Sequence, residues 1–265
     1  MSAVSAGSAG SAERGVLVTG ASRGIGRAVA RAFAERGDRV AVHYATNRED
    51  ASRTLRELPG DGHVLIGGDL ADAETARTVV EEAVEALGGV DVLVNNAALA
   101  PGAGNRHQVA DVSYPDWQDI WQHMLQVNLL GAVNVTYGVA RHLIDRGEPG
   151  RIVNIGSRGA FRGEPDHPAY GASKAALHAF GQSMAVALAP HDIAVTSVAP
   201  GFIATERQAG RLAGPDGEAL REQSPFGRVG TPEEVAAAVL YLASPEAAWS
   251  SGTVLDLNGA SHLRT

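Results

Sequence analysis

The stretch GVLVTGASRGIGRAVARAFAERG, residues 15–37, passes through three patterns in succession. GVLVTG (15–20) is apolar almost throughout, as a strand buried on both faces must be. Thr19-Gly20-Ala21-Ser22-Arg23-Gly24-Ile25-Gly26 is a glycine-rich turn. RAVARAFAERG (27–37) has helical spacing and a closing glycine. Strand, glycine turn and amphipathic helix in that order open a βαβ unit, and the turn is where a pyrophosphate would rest on the helix's leading amides.

Outward from this stretch the same alternation continues. RVAVHY (39–44), HVLIGG (63–68), DVLVNN (91–96), RIVNIGS (151–157), IAVTSVAPG (193–201) and TVLDL (253–257) read as further buried strands. Helical segments separate them: one ending near residues 58–60, then 71–89, roughly 117–143, 168–188 and 231–244. The last opens with a capping box, Thr231 and Glu234, with Pro232 at the first helical position. Seven apolar strands separated by helices predict a single doubly wound α/β domain, a seven-stranded parallel sheet with helices on both faces, over residues 13–265. Ligands of such sheets sit beyond the carboxyl ends of the strands, so the loops after strands are where function is expected.

Composition narrows the function classes. The chain has 265 residues, 45% of them apolar, enough to bury a full core. Its net charge of −8 argues against a nucleic-acid partner and against anionic membrane surfaces, since both rest on Lys and Arg. No stretch approaches the roughly 18 apolar residues of a membrane helix. Residues 1–12 (MSAVSAGSAGSA) read as a disordered tail and not as a signal peptide, and a cytoplasmic location is expected by elimination. There is no cysteine, and no metal site is expected. Among 22 basic residues only one, Lys174, is lysine. A chain that otherwise uses arginine implies that position 174 needs a compact ammonium.

The spacing TGxxxGxG at 19–26, with Asn95-Asn96-Ala97 after the fourth strand, Asn128 in VNLLG, Ser157, the YGASK run of Tyr170 and Lys174, and Pro200-Gly201-Phe202-Ile203-Ala204-Thr205, resembles the short-chain dehydrogenase/reductase family in its short form. SRGIG, PGFIAT and GRVGTPEEVA are locally similar to its 3-oxoacyl-carrier-protein reductase group. The likeness extends from residue 15 to about 260. It implies a Rossmann domain in which Gly20, Ser22, Arg23, Gly24, Ile25 and Gly26 hold the pyrophosphate end of a nicotinamide dinucleotide. Asp69 and Leu70 would flank the adenine, Asn96 and Ala97 the middle of the cofactor, and Pro200, Gly201, Ile203 and Thr205 the nicotinamide carboxamide. Ala98 departs from the glycine that usually completes NNAG.

The position that favours NAD when acidic is here Tyr44, at the end of the second strand, and Arg23 with Arg48 adds positive charge nearby. NADP(H) is therefore expected, with NAD(H) as the alternative. Tyr170 and Lys174, four apart, share one helical face. A free phenol has a pKa near ~10, and an ammonium one turn away is expected to lower it, so that Tyr170 exchanges a proton with the substrate oxygen. The resemblance implies that Ser157 holds that oxygen, that Lys174 also binds the nicotinamide ribose, and that Asn128 interrupts its helix to link the lysine to solvent.

Arg158, Phe161, Arg162 and His167 are candidates to face the substrate, with Arg158 and Arg162 suited to an anionic or carrier-bound one. Phe202 and residues 206–228 would form a mobile lid, and residues 99–115 a pocket rim, an oligomer contact or a solvated insertion. The leading reading is an NADP(H)-dependent reductase of a small-molecule ketone; the alternatives are a secondary-alcohol or sugar dehydrogenase and a non-catalytic dinucleotide sensor. The resemblance further implies a homo-oligomer, a tetramer or dimer.

Overall fold

The computed structural model describes residues 13–264, so the tail expected at 1–12 lies outside the described residues. In chain order the elements are β1 (Gly15–Val18), α1 (Gly24–Glu35), β2 (Arg39–Tyr44), α2 (Arg48–Glu57), β3 (Val64–Gly67), α3 (Ala73–Leu87) and β4 (Val92–Asn95). They continue with α4 (Tyr114–Leu125), α5 (Gly131–Arg146), β5 (Gly150–Ile155), α6 (Gly159–Arg162), α7 (Pro168–Leu188) and β6 (Ile193–Pro200). The last are α8 (Ala209–Ala213), α9 (Gly217–Glu222), α10 (Pro232–Leu242) and β7 (Val254–Leu257).

The seven strands form one parallel sheet in the order β3-β2-β1-β4-β5-β6-β7. The chain runs outward from β1 to β3 and then returns to lay β4 against the other side of β1. Crossover connections on either side of β1 therefore leave on opposite faces, and a crevice opens beyond the carboxyl ends of β1 and β4. This is the doubly wound Rossmann architecture that the alternating pattern predicts.

Strand side chains alternate between two cores. Val16, Val18, Val40 and Val42 face α1 and α10, where Val29, Phe33, Val235, Val239 and Leu242 meet them. Leu17, Ala41, Leu93 and Ile152 face the other way, onto Val79, Val80, Leu87, Val135, Val139 and Leu143 of α3 and α5. Both faces are covered, which is why the strands read as continuous apolar runs.

Helix boundaries follow local chemistry. Asn47, Asp72, Ser113 and Thr231 each accept a leading backbone N–H of α2, α3, α4 and α10. Gly88 and Gly147 end α3 and α5 in the left-handed conformation, at φ 69° and 66°. Two boundaries differ from the sequence expectation. Helix α1 starts at Gly24, because the last glycines of the turn already form its first turn. The long helix expected over 117–143 is split by a π-turn, Gln126–Leu130, in which the Gly131 N–H reaches back to the Gln126 carbonyl. Residues 206–228 contain the short helices α8 and α9. Among the described residues no helix is long and apolar enough to cross a membrane.

The capping box of α10 is complete, with Thr231 Oγ1 accepting from the Glu234 N–H and Glu234 returning to the Thr231 N–H. Thr231→Ala is expected to lower unfolding free energy by about 1 kcal/mol in chemical denaturation; an unchanged midpoint would show that the cap contributes nothing.

Candidate active site

The turn after β1 is held by neighbours that are far away in sequence. Asn96 donates to the carbonyls of Thr19 and Gly20 at 2.9 and 3.0 Å, and Thr19 Oγ1 accepts the N–H groups of Asn96 and Ala97 at 2.9 and 3.0 Å. Gly20 and Gly24 sit at φ 64° and 57°, in the left-handed region open to glycine. A Cβ on Gly26 would lie 2.4 Å from the Gly20 carbonyl oxygen, so the close approach of α1 to β1 requires glycine there. Ser22 contributes its carbonyl, which accepts from Arg27 and Thr54, while Ile25 packs on the core beneath.

His43 completes this arrangement and sequence reasoning missed it. Its Nδ1 accepts the Gly20 N–H at 3.1 Å, which leaves Nε2 to donate to the Gly68 carbonyl at 2.9 Å. Burial pushes its pKa down to about 4, so the ring is a neutral clamp between the β1 turn and the end of β3. A histidine inside a strand gives no sequence signal of such a role.

Whether the crevice fits a dinucleotide is decided by α1. Its N-cap is Arg23, which makes no side-chain cap, and its first turn holds no acid. Leading amides without a cap from their own N-cap residue are a receptor for an anionic group such as a phosphate. The other expected contacts line the same edge of the sheet. Tyr44 ends β2 with its ring over Gly67; Asp69 Oδ1 accepts the Ala71 N–H; Leu70 is buried beside Gly131 of α5. Beyond β6, Pro200 ends the strand, the Gly201 N–H donates to Leu257 O at 2.9 Å, Ile203 is buried, and Thr205 packs next to Gly24. The donor set and the tight glycine turn fit a dinucleotide.

Ser157, Tyr170 and Lys174 come together on the loop after β5 and on α7. The Tyr170 phenol lies near enough to the Ser157 hydroxyl for the serine to favour its ionised form, and Ser157 Oγ accepts the Gly159 N–H at 3.0 Å. Lys174, 3% exposed, donates from Nζ to the Ile155 carbonyl at 2.8 Å, with Nζ 6.0 Å from the centre of the Tyr170 ring. Here the structure corrects an expectation. Burial raises the Tyr170 pKa above its ordinary value and outweighs the lowering from the Ser157 hydroxyl; the Glu164 charge raises it further and the Arg207 charge opposes. Burial also pulls the Lys174 pKa down to about 8.

Asn128 is buried in the π-turn, where its Oδ1 accepts the Leu99 N–H at 2.7 Å and its Nδ2 donates to Leu99 O and Ser173 Oγ at 3.1 and 3.2 Å. It ties the loop after β4 to α7 and positions the helix that carries Tyr170, without touching Lys174. Residues 99–115 contact the start of α7 and the loop before it. His107 is buried and its Nε2 accepts the Ala169 N–H at 2.9 Å at the start of α7, while Arg106 pairs with Asp166 at 3.1 Å.

The substrate-facing candidates divide. His167 meets the Gly102 carbonyl at 3.0 Å. Arg158 is buried and bonded to Ser261 and Gln223, so it is committed to the C-terminal segment and does not offer a free guanidinium to an anionic substrate. Phe161 stacks on His178 at 5.3 Å under the Arg264 guanidinium. Arg162 is exposed. Arg207, which sequence reasoning left inside an undivided lid, is near enough to Tyr170 and Arg23 to act on the charge of each.

This geometry coincides with the comparisons to known proteins. The chain matches the family described as enoyl-(acyl carrier protein) reductase over residues 20–262. It is 37% identical to the L-rhamnose 1-dehydrogenase (NAD(P)(+)) of Sphingomonas sp., over 94% of this chain and 96% of that protein. It is 36% identical to a 3-oxoacyl-[acyl-carrier-protein] reductase of Vibrio cholerae, over 93% and 96% of the two chains. The chain belongs to the short-chain dehydrogenase/reductase family. A third member, 3beta-hydroxysteroid dehydrogenase 1 of Eggerthella lenta, is 34% identical over 94% and 93%. As a short-chain dehydrogenase/reductase, the protein is an oxidoreductase of the carbonyl/alcohol class. The relatives are named for a sugar, a carrier-bound acyl chain and a steroid, so the shared frame sets the reaction and the loops set the substrate.

Lys174→Arg retains the charge but cannot place a compact ammonium on Ile155 O in so enclosed a site. A loss of at least ~10²-fold in kcat is expected from steady-state assays, and near-native turnover would remove the ammonium from the reaction.

Proposed function

We propose that the protein is an NADP(H)-dependent ketone reductase with Tyr170 as the proton donor. The observation that carries this reading is geometric: Tyr170 stands beside Ser157, one helical turn from Lys174, whose Nζ lies 6.0 Å from the centre of the phenol ring. A general acid must hold its proton at neutral pH, as a phenol with an ordinary pKa near ~10 does, and desolvation pushes Tyr170 further in that direction. A bound dihydronicotinamide supplies the hydride. The Tyr170 hydroxyl then gives its proton to the substrate oxygen, which also accepts a hydrogen bond from Ser157 Oγ. The phenolate left behind is stabilised by Lys174, which leaves the Ile155 carbonyl as negative charge forms beside it. The three hydrogen bonds of Asn128 to Leu99 and Ser173 and the His107 bond to Ala169 keep α7 in register during this exchange.

Two features support NADP(H) over NAD(H). Tyr44 stands at the end of β2 with no carboxylate to repel a 2′-phosphate, and Arg23 is exposed beside the turn. A second reading, a sugar dehydrogenase working oxidatively with either cofactor, is favoured by the likeness to L-rhamnose 1-dehydrogenase (NAD(P)(+)). The homotetramer belongs to the same proposal. It is supported by large apolar side chains left exposed on the outer surface, Tyr137 on α5, Val186 on α7 and Trp249 before β7, at 70%, 79% and 101%.

A panel of carbonyl and alcohol compounds read by NADPH absorbance tests the reaction class. NADPH is expected to exceed NADH in kcat/KM, and equal values would overturn the cofactor preference. Tyr170→Phe should lose on the order of 10²–10⁴ in kcat; activity within a few-fold of the parent would remove Tyr170 as the donor. Light scattering is expected to report a tetramer, and a stable monomer would contradict the assembly.

A further inference from the structure

Helices α2, α3, α4 and α10 cap themselves, and α1 does not. Its missing anion arrives from the lid. Glu206, the residue after Thr205 in PGFIAT-Glu, places Oε2 3.1 Å from the Gly24 backbone nitrogen and Oε1 3.0 Å from Arg27 Nη1. Arg27 is aimed at this point by two further contacts, to the Ser22 carbonyl at 2.8 Å and to Thr54 Oγ1 at 2.9 Å. Thr205 packs against Gly24 beside the pair. A carboxylate whose two oxygens meet a helix N-terminal amide and an arginine makes the contacts that a phosphate would make there.

We propose that the Glu206 carboxylate stands in for the cofactor's pyrophosphate in the free protein, and that a dinucleotide must displace it to reach the α1 N-terminus. This rests on the dinucleotide reading above. Two negative groups cannot share one amide and one guanidinium without repulsion, so Glu206 costs cofactor affinity for as long as it stays. Its displacement also has a mechanical consequence. Glu206 is the first residue of the lid and Arg207 is the next, the cation whose charge acts on Tyr170. Release of the carboxylate therefore frees the lid at its root and changes the position of Arg207 relative to the phenol. The phosphate anchor and the catalytic cleft are coupled through two consecutive side chains.

The contact is solvent-accessible, with the Glu206 side chain 55% exposed, so its effect is modest. An anion at a helix N-terminus together with an exposed ion pair corresponds to about a 2- to 10-fold change in affinity. The test measures direct binding by calorimetry to the parent, Glu206→Gln and Glu206→Ala, each verified as folded by its thermal transition. Three probes separate the contributions. NADPH and ADP-ribose both carry a pyrophosphate; 2′-AMP carries a phosphate only at the other end of the adenosine. Both variants are expected to bind NADPH and ADP-ribose more tightly by that factor and 2′-AMP unchanged. Equal or weaker binding of NADPH and ADP-ribose by the variants would overturn the stand-in role. Absence of NADPH binding in the parent and both variants alike would instead overturn the dinucleotide reading on which it rests.

Discussion

The placement of a half-buried Tyr170 beside Ser157 and Lys174 is the constraint to which the rest of the site answers. The phenol stands at the start of α7 against Ser157, and removal of water there disfavours its ionised form more than the Ser157 hydroxyl favours it. The same enclosure lowers the Lys174 pKa, and its ammonium donates to the Ile155 carbonyl. The pair is therefore set with the proton on oxygen and a cation in reserve. For carbonyl reduction this is the productive order: a neutral acid before transfer, and a cation adjacent when the phenolate appears.

The fold supplies that enclosure from several directions. The crevice exists because β4 returns to β1, and the loops after β1, β4, β5 and β6 converge there. Asn128 in its π-turn joins the loop after β4 to α7, and His107 holds the first turn of α7 from the opposite side. His43, neutral and buried, fixes the glycine turn to β3. None of these three touches the phenol, yet each fixes an element that does. A helix register shifted by even a small amount would part Tyr170 from Ser157, which explains the polar contacts concentrated around an otherwise apolar domain.

Most of this was legible in the residues, for reasons that differ by element. The strands were readable because each is buried on both faces and so carries an unbroken apolar run, such as VLV at 16–18. The capping box at Thr231 was readable because it is local. Ser157, Tyr170 and Lys174 were readable as a set, since helical spacing puts positions 170 and 174 on one face and the lone lysine stands out in an arginine-rich chain. Sequence spacing did not show how strongly desolvation disfavours the ionised phenol, and so the direction of the Tyr170 shift came out opposite to expectation. The π-turn was missed because VNLLG keeps helical composition through it. Arg158 looked like a substrate cation because its partners, Gln223 and Ser261, are remote in the chain. His43, Glu206 and Arg207 were invisible for the same reason, as their roles depend on contacts across long sequence separations.

The phenol's ionisation measures the central claim most directly. Ultraviolet difference titration of the free protein, with Tyr170→Phe subtracted, isolates the Tyr170 signal. Desolvation predicts that this phenol ionises above the ~10 of free tyrosine, and higher still in Lys174→Met, which removes the positive charge 6.0 Å from the ring. A transition below that value in the free protein, abolished in the Lys174 variant, would show that the ammonium governs the phenol and would contradict the account.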